Sequence, residues 1–157
     1  MDNDEVARFV PWFLEARYPG RLRPVMEGMP EFGHQREVDG ARMVIRSGKA
    51  RMPFIWVRGG VAHAVPRSEA LAYHVASENR DLMVGRVYLA YGDELALVAF
   101  DDAITAIDLD PERQSSMQDL VNRFEASLDY TRKWTETILE RFGGKPFADE
   151  DLTLLTF

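Results

Sequence analysis

The pattern that most constrains this chain is a run of apolar residues, spaced three or four apart, through most of its last third. Such spacing places the run on one face of a single helix. Asp110 followed by Pro111 is typical of a helix start, with a capping carboxylate and a proline at the first helical position. Gly143 and Gly144 are typical of a helix end. We therefore predict a helix of about 30 residues, whose buried face is formed by Met117, Leu120, Val121, Phe124, Leu128, Trp134, Ile138, Leu139 and Phe142.

Two further segments have helical spacing. Asp2 and Glu5 form a capping-box pattern ahead of an amphipathic helix that ends at Tyr18-Pro19-Gly20. Pro11 interrupts this helix, so we expect a kink or a restart there. The apolar residues of this first helix are Val6, Phe9, Val10, Phe13 and Leu14. Ser68 is a good N-cap for a second helix over 69–79, with Leu71, Ala72, Val75 and Ala76 as its buried stripe.

The segment between the first two helices has strand character. Asp39-Gly40 predicts a tight hairpin between strands at 32–38 and 41–46, because both central residues of its turn need positive φ. Ser47-Gly48-Lys49 is interpreted as a turn, and Phe54 to Val57 as a central strand. Arg58-Gly59-Gly60 predicts another turn, followed by a short strand at 61–65. A second hairpin is predicted around Gly92-Asp93, with strands at 84–91 and 94–100, and 21–30 is predicted to be a loop.

This element order predicts an α+β fold, α-β(hairpins)-α-β-β-α, in which helices cover one face of a twisted antiparallel sheet. We expect a single domain over 1–157. The tail at 145–157 is acidic in its middle and apolar at its end. It is interpreted as either an extra strand or an arm that reaches a partner.

Composition and charge exclude several classes of protein. The chain has 157 residues and no cysteine, so disulfides and thiolate metal sites are absent. The net charge is −7, and the last third holds the excess of acids while the arginines are scattered, which argues against a nucleic-acid partner. The apolar runs are too short to cross a membrane. Because the first residues are acidic, we expect no secretory leader and a cytoplasmic location.

The sequence contains no catalytic or metal-binding motif. The histidines His34, His63 and His74 have no metal-ligand spacing, and we expect neither a metal nor a cofactor. Glu31 and Glu37 flank His34, so a small enzyme that uses His34 or His63 remains a distant alternative. The segment from Ser47 to Ala50 lacks the first glycine and the final hydroxyl residue of a phosphate-binding loop.

A peptide-binding surface is the remaining interpretation. If helices cover only one face of the sheet, the other face is polar or is covered by something else. Phe54, Trp56, Tyr88 and Phe100 are candidates for that face, and an aromatic-lined sheet face or strand edge suits an extended peptide. The alternative for each of these residues is ordinary core packing.

Residues 38–144 resemble a known family in element order and in a few placed residues. A strand reaches Pro66, a short helix ends at Asn79, and a strand follows that begins Val84-Gly85-Arg86-Val87-Tyr88-Leu89. The long helix then ends in Phe142-Gly143-Gly144. This arrangement resembles the bacterial YbjN-type domains, which belong with the CesT-like type III secretion chaperones. The resemblance implies an α+β fold, frequent homodimers and binding of peptide segments from client proteins rather than catalysis.

Three functional hypotheses follow. The first is a non-catalytic, chaperone-like protein that binds an extended segment of a partner, with the acidic long helix favouring basic clients. The second is a regulatory module that self-associates through an arm at 152–157. The third is the small hydrolase that would use a histidine.

Overall fold

The computed structural model describes residues 1–20, 22–38, 40–48 and 51–156. Its strands form one antiparallel sheet, and three α-helices pack on one face, which confirms the α+β fold class. The helices are α1 (Asn3–Arg17), α2 (Glu69–Asn79) and α3 (Gln114–Phe142). The strands are β1 (Arg23–Pro24), β2 (His34–Val38), β3 (Ala41–Gly48), β4 (Phe54–Pro66), β5 (Arg86–Tyr91) and β6 (Leu95–Thr105). Their order in the sheet is β1-β2-β3-β4-β6-β5.

The α1 helix begins where the capping box predicts and continues through Pro11. The Asp2 carboxylate accepts the Glu5 amide at 2.8 Å, and the Glu5 carboxylate accepts the Asp2 amide at 2.7 Å. The predicted restart at Pro11 is wrong, because the helix runs unbroken from Asn3 to Arg17. A proline inside a helix costs about 3 kcal/mol. Five buried side chains on both sides of it, each contributing about 1.5 to 3 kcal/mol, outweigh that cost.

Both predicted hairpins are present. Val38 pairs with Ala41 across the first, where Gly40 has φ 81° and Asp39 lies outside the described residues. Tyr91 pairs with Ala96 across the second. The turn predicted at 47–49 is wrong for Ser47 and Gly48, which continue β3; Lys49 lies outside the described residues. The predicted loop at 21–30 contains the two-residue strand β1, and Arg21 is likewise not described.

The predicted turn at Arg58-Gly59-Gly60 is wrong, because β4 runs through it as one strand of 13 residues. Both glycines pair with β3 on one side and with β6 on the other. They permit close approach from opposite faces of the sheet. A Cβ on Gly59 would lie 1.9 Å from Thr131 Oγ1 of α3, and a Cβ on Gly60 would lie 2.6 Å from the Phe147 ring. The glycines therefore mark packing contacts rather than a change of chain direction.

The start of α3 and the buried face of α2 differ from expectation. The α3 helix begins at Gln114 with Arg113 at the N-cap position, so Asp110 is not its cap. The Asp110 carboxylate instead accepts the Glu112 amide at 3.0 Å in the preceding turn. In α2, Ser68 caps the helix as predicted, but Ala76 is exposed and Leu71 and Val75 are the buried residues.

The residues from 145 to 156, which we name the tail, cross the sheet face opposite the α-helices. Lys145 and His63 exchange two backbone hydrogen bonds, of 2.8 and 2.9 Å. A 3-10 helix, Asp149–Leu155, then lies on this second face, and its Leu152 and Leu155 side chains are each 1% exposed. Of the strand predicted for the tail, the structure shows only an isolated bridge at Lys145. The arm that was predicted to reach a partner lies on the sheet of its own chain. The described residues contain no helix that is long and apolar enough to cross a membrane.

Candidate peptide-binding surface

The four predicted aromatic residues divide between the two faces of the sheet. Phe54, Trp56 and Tyr88 are half-buried on the second face. Phe100 is fully buried on the helix face, stacked on Tyr130 at a centroid distance of 5.7 Å, so its assignment to the open face is wrong. Side chains point alternately to the two faces along a strand. Phe100 is an odd number of residues away from Ala103 and Thr105, which pair with Trp56 and Phe54, so its side chain points to the other face. The pairing register of β4 with β6 is needed to assign Phe100 to its face.

Trp56 is the centre of an aromatic and cationic cluster on the second face. Arg46 is its direct cross-strand neighbour, and the guanidinium carbon of Arg46 lies 4.2 Å from the indole centroid. The guanidinium carbon of Arg58 lies 3.9 Å from it. These distances are those of cation–π contacts. Phe54 packs its edge against the indole at 6.3 Å, so the ring is held by neighbours from two strands.

A buried ion-pair network supports the Trp56 ring from one side. Arg58 and Asp101 are 7% and 5% exposed, and Arg58 Nε donates to Asp101 Oδ1 at 3.2 Å. The Trp56 indole N–H donates to the same carboxylate, and Arg86 donates to its other oxygen at 3.2 Å. Hydrogen bonds to a shared carboxylate fix the orientation of all three donors. Burial raises the pKa of the neighbouring Tyr88 to about 12.

A groove of about 690 Å³ begins at Trp56 and continues past the end of β3 to α1. Its wall on the α1 side is apolar and consists of Ala7, Val10 and Pro11. A loop wall is contributed by Pro30, Glu31, Gly33 and His34, and the strand side by Arg46, Ser47, Gly48, Phe54 and Trp56. The Phe54 ring lies over Gly48, where a Cβ would be 1.9 Å from it. The glycine thus lets the ring lie flat against the strand.

The groove contains a free strand edge. β2 begins at His34, which pairs with Ile45, whereas β3 continues for three more residues to Gly48. No strand of the described residues pairs with the outer side of Arg46–Gly48. Alternate residues of a strand direct their backbone N–H and C=O groups to each side, so this stretch presents hydrogen-bonding groups to the groove. An extended segment placed there would continue the line of β2.

The opposite edge of the sheet is blocked near the start of β5. The Asn79 side chain donates to the Val87 carbonyl at 2.6 Å and accepts the Val87 amide at 2.7 Å. It therefore occupies the outward-facing backbone groups of β5 as a neighbouring strand would. Strand addition is accordingly favoured at β3 rather than at β5.

Arg46 and Glu31 both line the groove, so it holds a cation and an acid. Among the described residues, no carboxylate lies within ion-pair distance of the Arg46 guanidinium. Burial and the nearby charge of Arg58 lower the pKa of Arg46, an effect that Asp101 opposes. A bound carboxylate would relieve this repulsion and form a charge-assisted pair.

The tail covers the other half of the second face, on residues that we name the tail seat: Arg23, Arg42, Arg58, Gly60 and His63. The Phe147 ring lies over Gly60, and the Asp149 carboxylate accepts from both Arg23 and Arg42. Asp151 lies 3.3 Å from His63 Nε2, and Arg58 donates to the Leu155 carbonyl at 2.8 Å. Because Arg58 also contacts Trp56, the tail seat and the groove adjoin.

The histidines of the distant enzymatic alternative lie apart. His34 lines the groove together with Ser47, but no hydrogen bond joins them in the described part of the chain. Burial lowers the pKa of His34, whereas His63 contacts Asp151 and the Phe147 ring. Within the described ranges, no group of three or more His, Asp or Glu side chains is placed to hold a metal ion.

Sequence reasoning missed Arg58 and Asp101 as partners of Trp56, and it missed the tail seat. Alternation along 41–46 does place arginines on one face of β3, and that signal indicates a cationic surface. The pairing of these arginines with particular acids depends on contacts between residues far apart in the chain. No protein-family model and no curated protein matches this sequence.

Proposed function

We propose that this protein is a non-catalytic, chaperone-like protein that binds an extended segment of a partner protein in the groove beside Trp56. The observation that carries the proposal is the edge of Arg46–Gly48, with which no strand of the described residues pairs on its outer side, in a groove with apolar and aromatic walls. Main-chain hydrogen bonds along such an edge provide affinity, and side-chain pockets provide specificity. The resemblance to YbjN-type domains points to the same class of ligand.

The chemistry of the groove specifies the segment further. Phe54 and Trp56 offer contacts to apolar side chains, and Arg46, which lies over the Trp56 ring, offers a cation for a carboxylate. We therefore infer a segment that alternates apolar and acidic residues. No residue of α3 is among the residues that line this groove, which include one acid, Glu31; the expectation that the acidic α3 favours basic clients stays a prediction. Homodimer formation and a cytoplasmic location stay predictions.

Selection from a library of random peptides displayed on phage, with the full chain as bait, tests the proposal. We expect the enriched peptides to carry an acidic residue next to apolar ones. Their affinity falls about tenfold in Arg46→Gln, because the charged partner is lost. It also falls as salt rises. Phe54→Leu weakens binding by removing the ring that covers Gly48.

Tyr73→Ala is the matched control, because Tyr73 is an aromatic residue of α2 that is 77% exposed and lies outside the groove. Circular dichroism verifies that each variant is folded. Absence of any enriched peptide would refute the proposal. So would enriched peptides that bind Arg46→Gln and Phe54→Leu as tightly as they bind the unaltered chain.

A further inference from the structure

We propose that the tail is an internal ligand, and that the tail seat is a binding surface for acidic, leucine-containing segments of partner proteins. This inference rests on the proposed function, because the tail seat adjoins the groove where Arg58 contacts Trp56. A partner segment that fills both has to displace the tail. The tail therefore regulates access to the second face.

Charge complementarity between the tail and its seat is the first argument. The tail carries three consecutive acids, Asp149, Glu150 and Asp151. Asp149 pairs with Arg23 and Arg42, and Asp151 lies beside His63. The seat thus combines guanidinium and imidazole groups from β1, β3 and β4. Arg42 also pairs with Glu37 and Arg58 with Asp101, and the tail adds acids from a segment distant in the chain.

The apolar contacts of the tail form a cluster of their own. Phe147, Leu152 and Leu155 pack with Val25, Val44 and Ala99 on the second face, with the sheet between them and the two clusters under the α-helices. The Phe147 ring fits over Gly60 because that position has no Cβ. The tail can therefore leave without opening the core between helices and sheet, which is the property expected of a ligand rather than of a core element.

The connection to α3 is compatible with release. Gly143 and Gly144 both have positive φ, 78° and 100°, and they separate the last turn of α3 from Lys145. Glycine adopts many backbone conformations at low cost, so these two residues can change direction while α3 stays in place.

The seat and the groove are physically continuous. Arg58 donates to the Leu155 carbonyl at 2.8 Å and stacks on Trp56 at 3.9 Å. One segment that pairs with the edge at Arg46–Gly48 and continues over Trp56 would meet the tail at Arg58. Since the tail is tethered, it competes at a high effective concentration, and a partner in solution binds weakly until the tail is loosened.

The test uses the full chain and a fluorescent synthetic peptide with the sequence of residues 145–157 as the probe. A variant of the full chain carries Phe147→Ala and Asp149→Asn. These substitutions weaken the binding of the tail to its seat and leave every residue of the seat unaltered. We expect this variant to bind the probe about tenfold or more tightly than the unaltered chain does. Hydrogen exchange shows tail release if tail amides exchange faster while α3 amides stay protected.

Two controls define the binding site. Adding Gly60→Ala to the variant with Phe147→Ala and Asp149→Asn abolishes probe binding, because the new methyl group occupies the position that the Phe147 ring of the probe would take. A probe with Asp149→Asn binds less tightly than the original. The inference is overturned if the variant with Phe147→Ala and Asp149→Asn binds the probe no more tightly than the unaltered chain does. It is also overturned if adding Gly60→Ala leaves probe binding unchanged.

The same titration with Arg46→Gln separates this inference from the proposed function. Arg46 lies in the groove and outside the seat, so this substitution leaves probe binding unchanged. If the displayed peptides depend on Arg46 and the probe does not bind, only the internal-ligand inference fails. If the probe binds and no displayed peptide depends on Arg46 or Phe54, only the proposal that the groove binds a partner segment fails.

Discussion

Gly59→Ala should destabilise the whole fold, because Gly59 is where α3 approaches the sheet most closely. The added Cβ would lie 1.9 Å from Thr131 Oγ1 and 2.7 Å from its Cγ2. Thr131 is fully buried, and its hydroxyl donates to the Ser127 carbonyl at 2.7 Å, so moving this side chain aside would break that hydrogen bond. The clash between the new Cβ and Thr131 is relieved when α3 moves away from β4.

The magnitude follows from two opposing effects. Overpacking of a buried contact costs about 1 to 3 kcal/mol. Replacement of glycine by alanine within a strand returns about 0.5 to 1 kcal/mol, since the unfolded chain loses conformational freedom. We therefore expect the free energy of unfolding to fall by about 1 to 2 kcal/mol in Gly59→Ala. Urea denaturation, followed by tryptophan fluorescence, measures this change as a lower midpoint at an unchanged slope.

A double-mutant cycle identifies the clash as the cause. Thr131→Ala removes the two closest contacts of the new methyl group. The combined variant should therefore be more stable than the sum of the single effects implies, by about 0.5 kcal/mol or more. The reasoning is refuted if the two substitutions are additive, or if Gly59→Ala is as stable as the unaltered chain. Gly60→Ala is the matched comparison, and its effect should be confined to faster hydrogen exchange of the tail.

Three other outcomes are expected. Asp101→Ala removes the buried carboxylate that pairs with Arg58, and we expect the free energy of unfolding measured by urea denaturation to fall by about 3 kcal/mol; a fall below about 1 kcal/mol would contradict this account. Asn79→Ala exposes the backbone groups of Val87 and should promote concentration-dependent association through β5 in light scattering, whereas an unchanged mass at all concentrations would count against it. Burial lowers the pKa of His34 from its ordinary value of 6.5, so its contribution to stability is present above pH 6.5 and is lost as the pH falls through the lowered pKa. His34→Gln should therefore reduce acid sensitivity in this range, and NMR titration of the ring should give a midpoint below 6.5.

The features that could be predicted from the sequence are those that depend on neighbouring residues. The Asp2–Glu5 capping box, the Ser68 cap and the end of α3 at Gly143 each involve contacts within about one helical turn. The two hairpins depend on the residues of their own turns. The α+β class follows from the order of these elements, because an amphipathic helix and an alternating strand each need an apolar partner surface.

The candidate site was predictable only in part. Phe54 and Trp56 lie on the second face as proposed, and Arg46 belongs to the alternating arginines of β3. Phe100 was assigned to the wrong face, because its face depends on the register between β4 and β6. Register is a property of two strands, which neither strand sequence specifies alone.

Tertiary structure also decided the role of the glycines and of the tail. Gly59 and Gly60 have the composition of a turn, but partners on both sides hold β4 extended through them. The tail could have been a strand or a free arm, and it lies on its own sheet because Arg42 and Gly60 offer a charge and a space that fit Asp149 and Phe147. The sequence determined which elements form, since their signals are local. The fold determined which residues meet, since its contacts join positions more than a hundred residues apart.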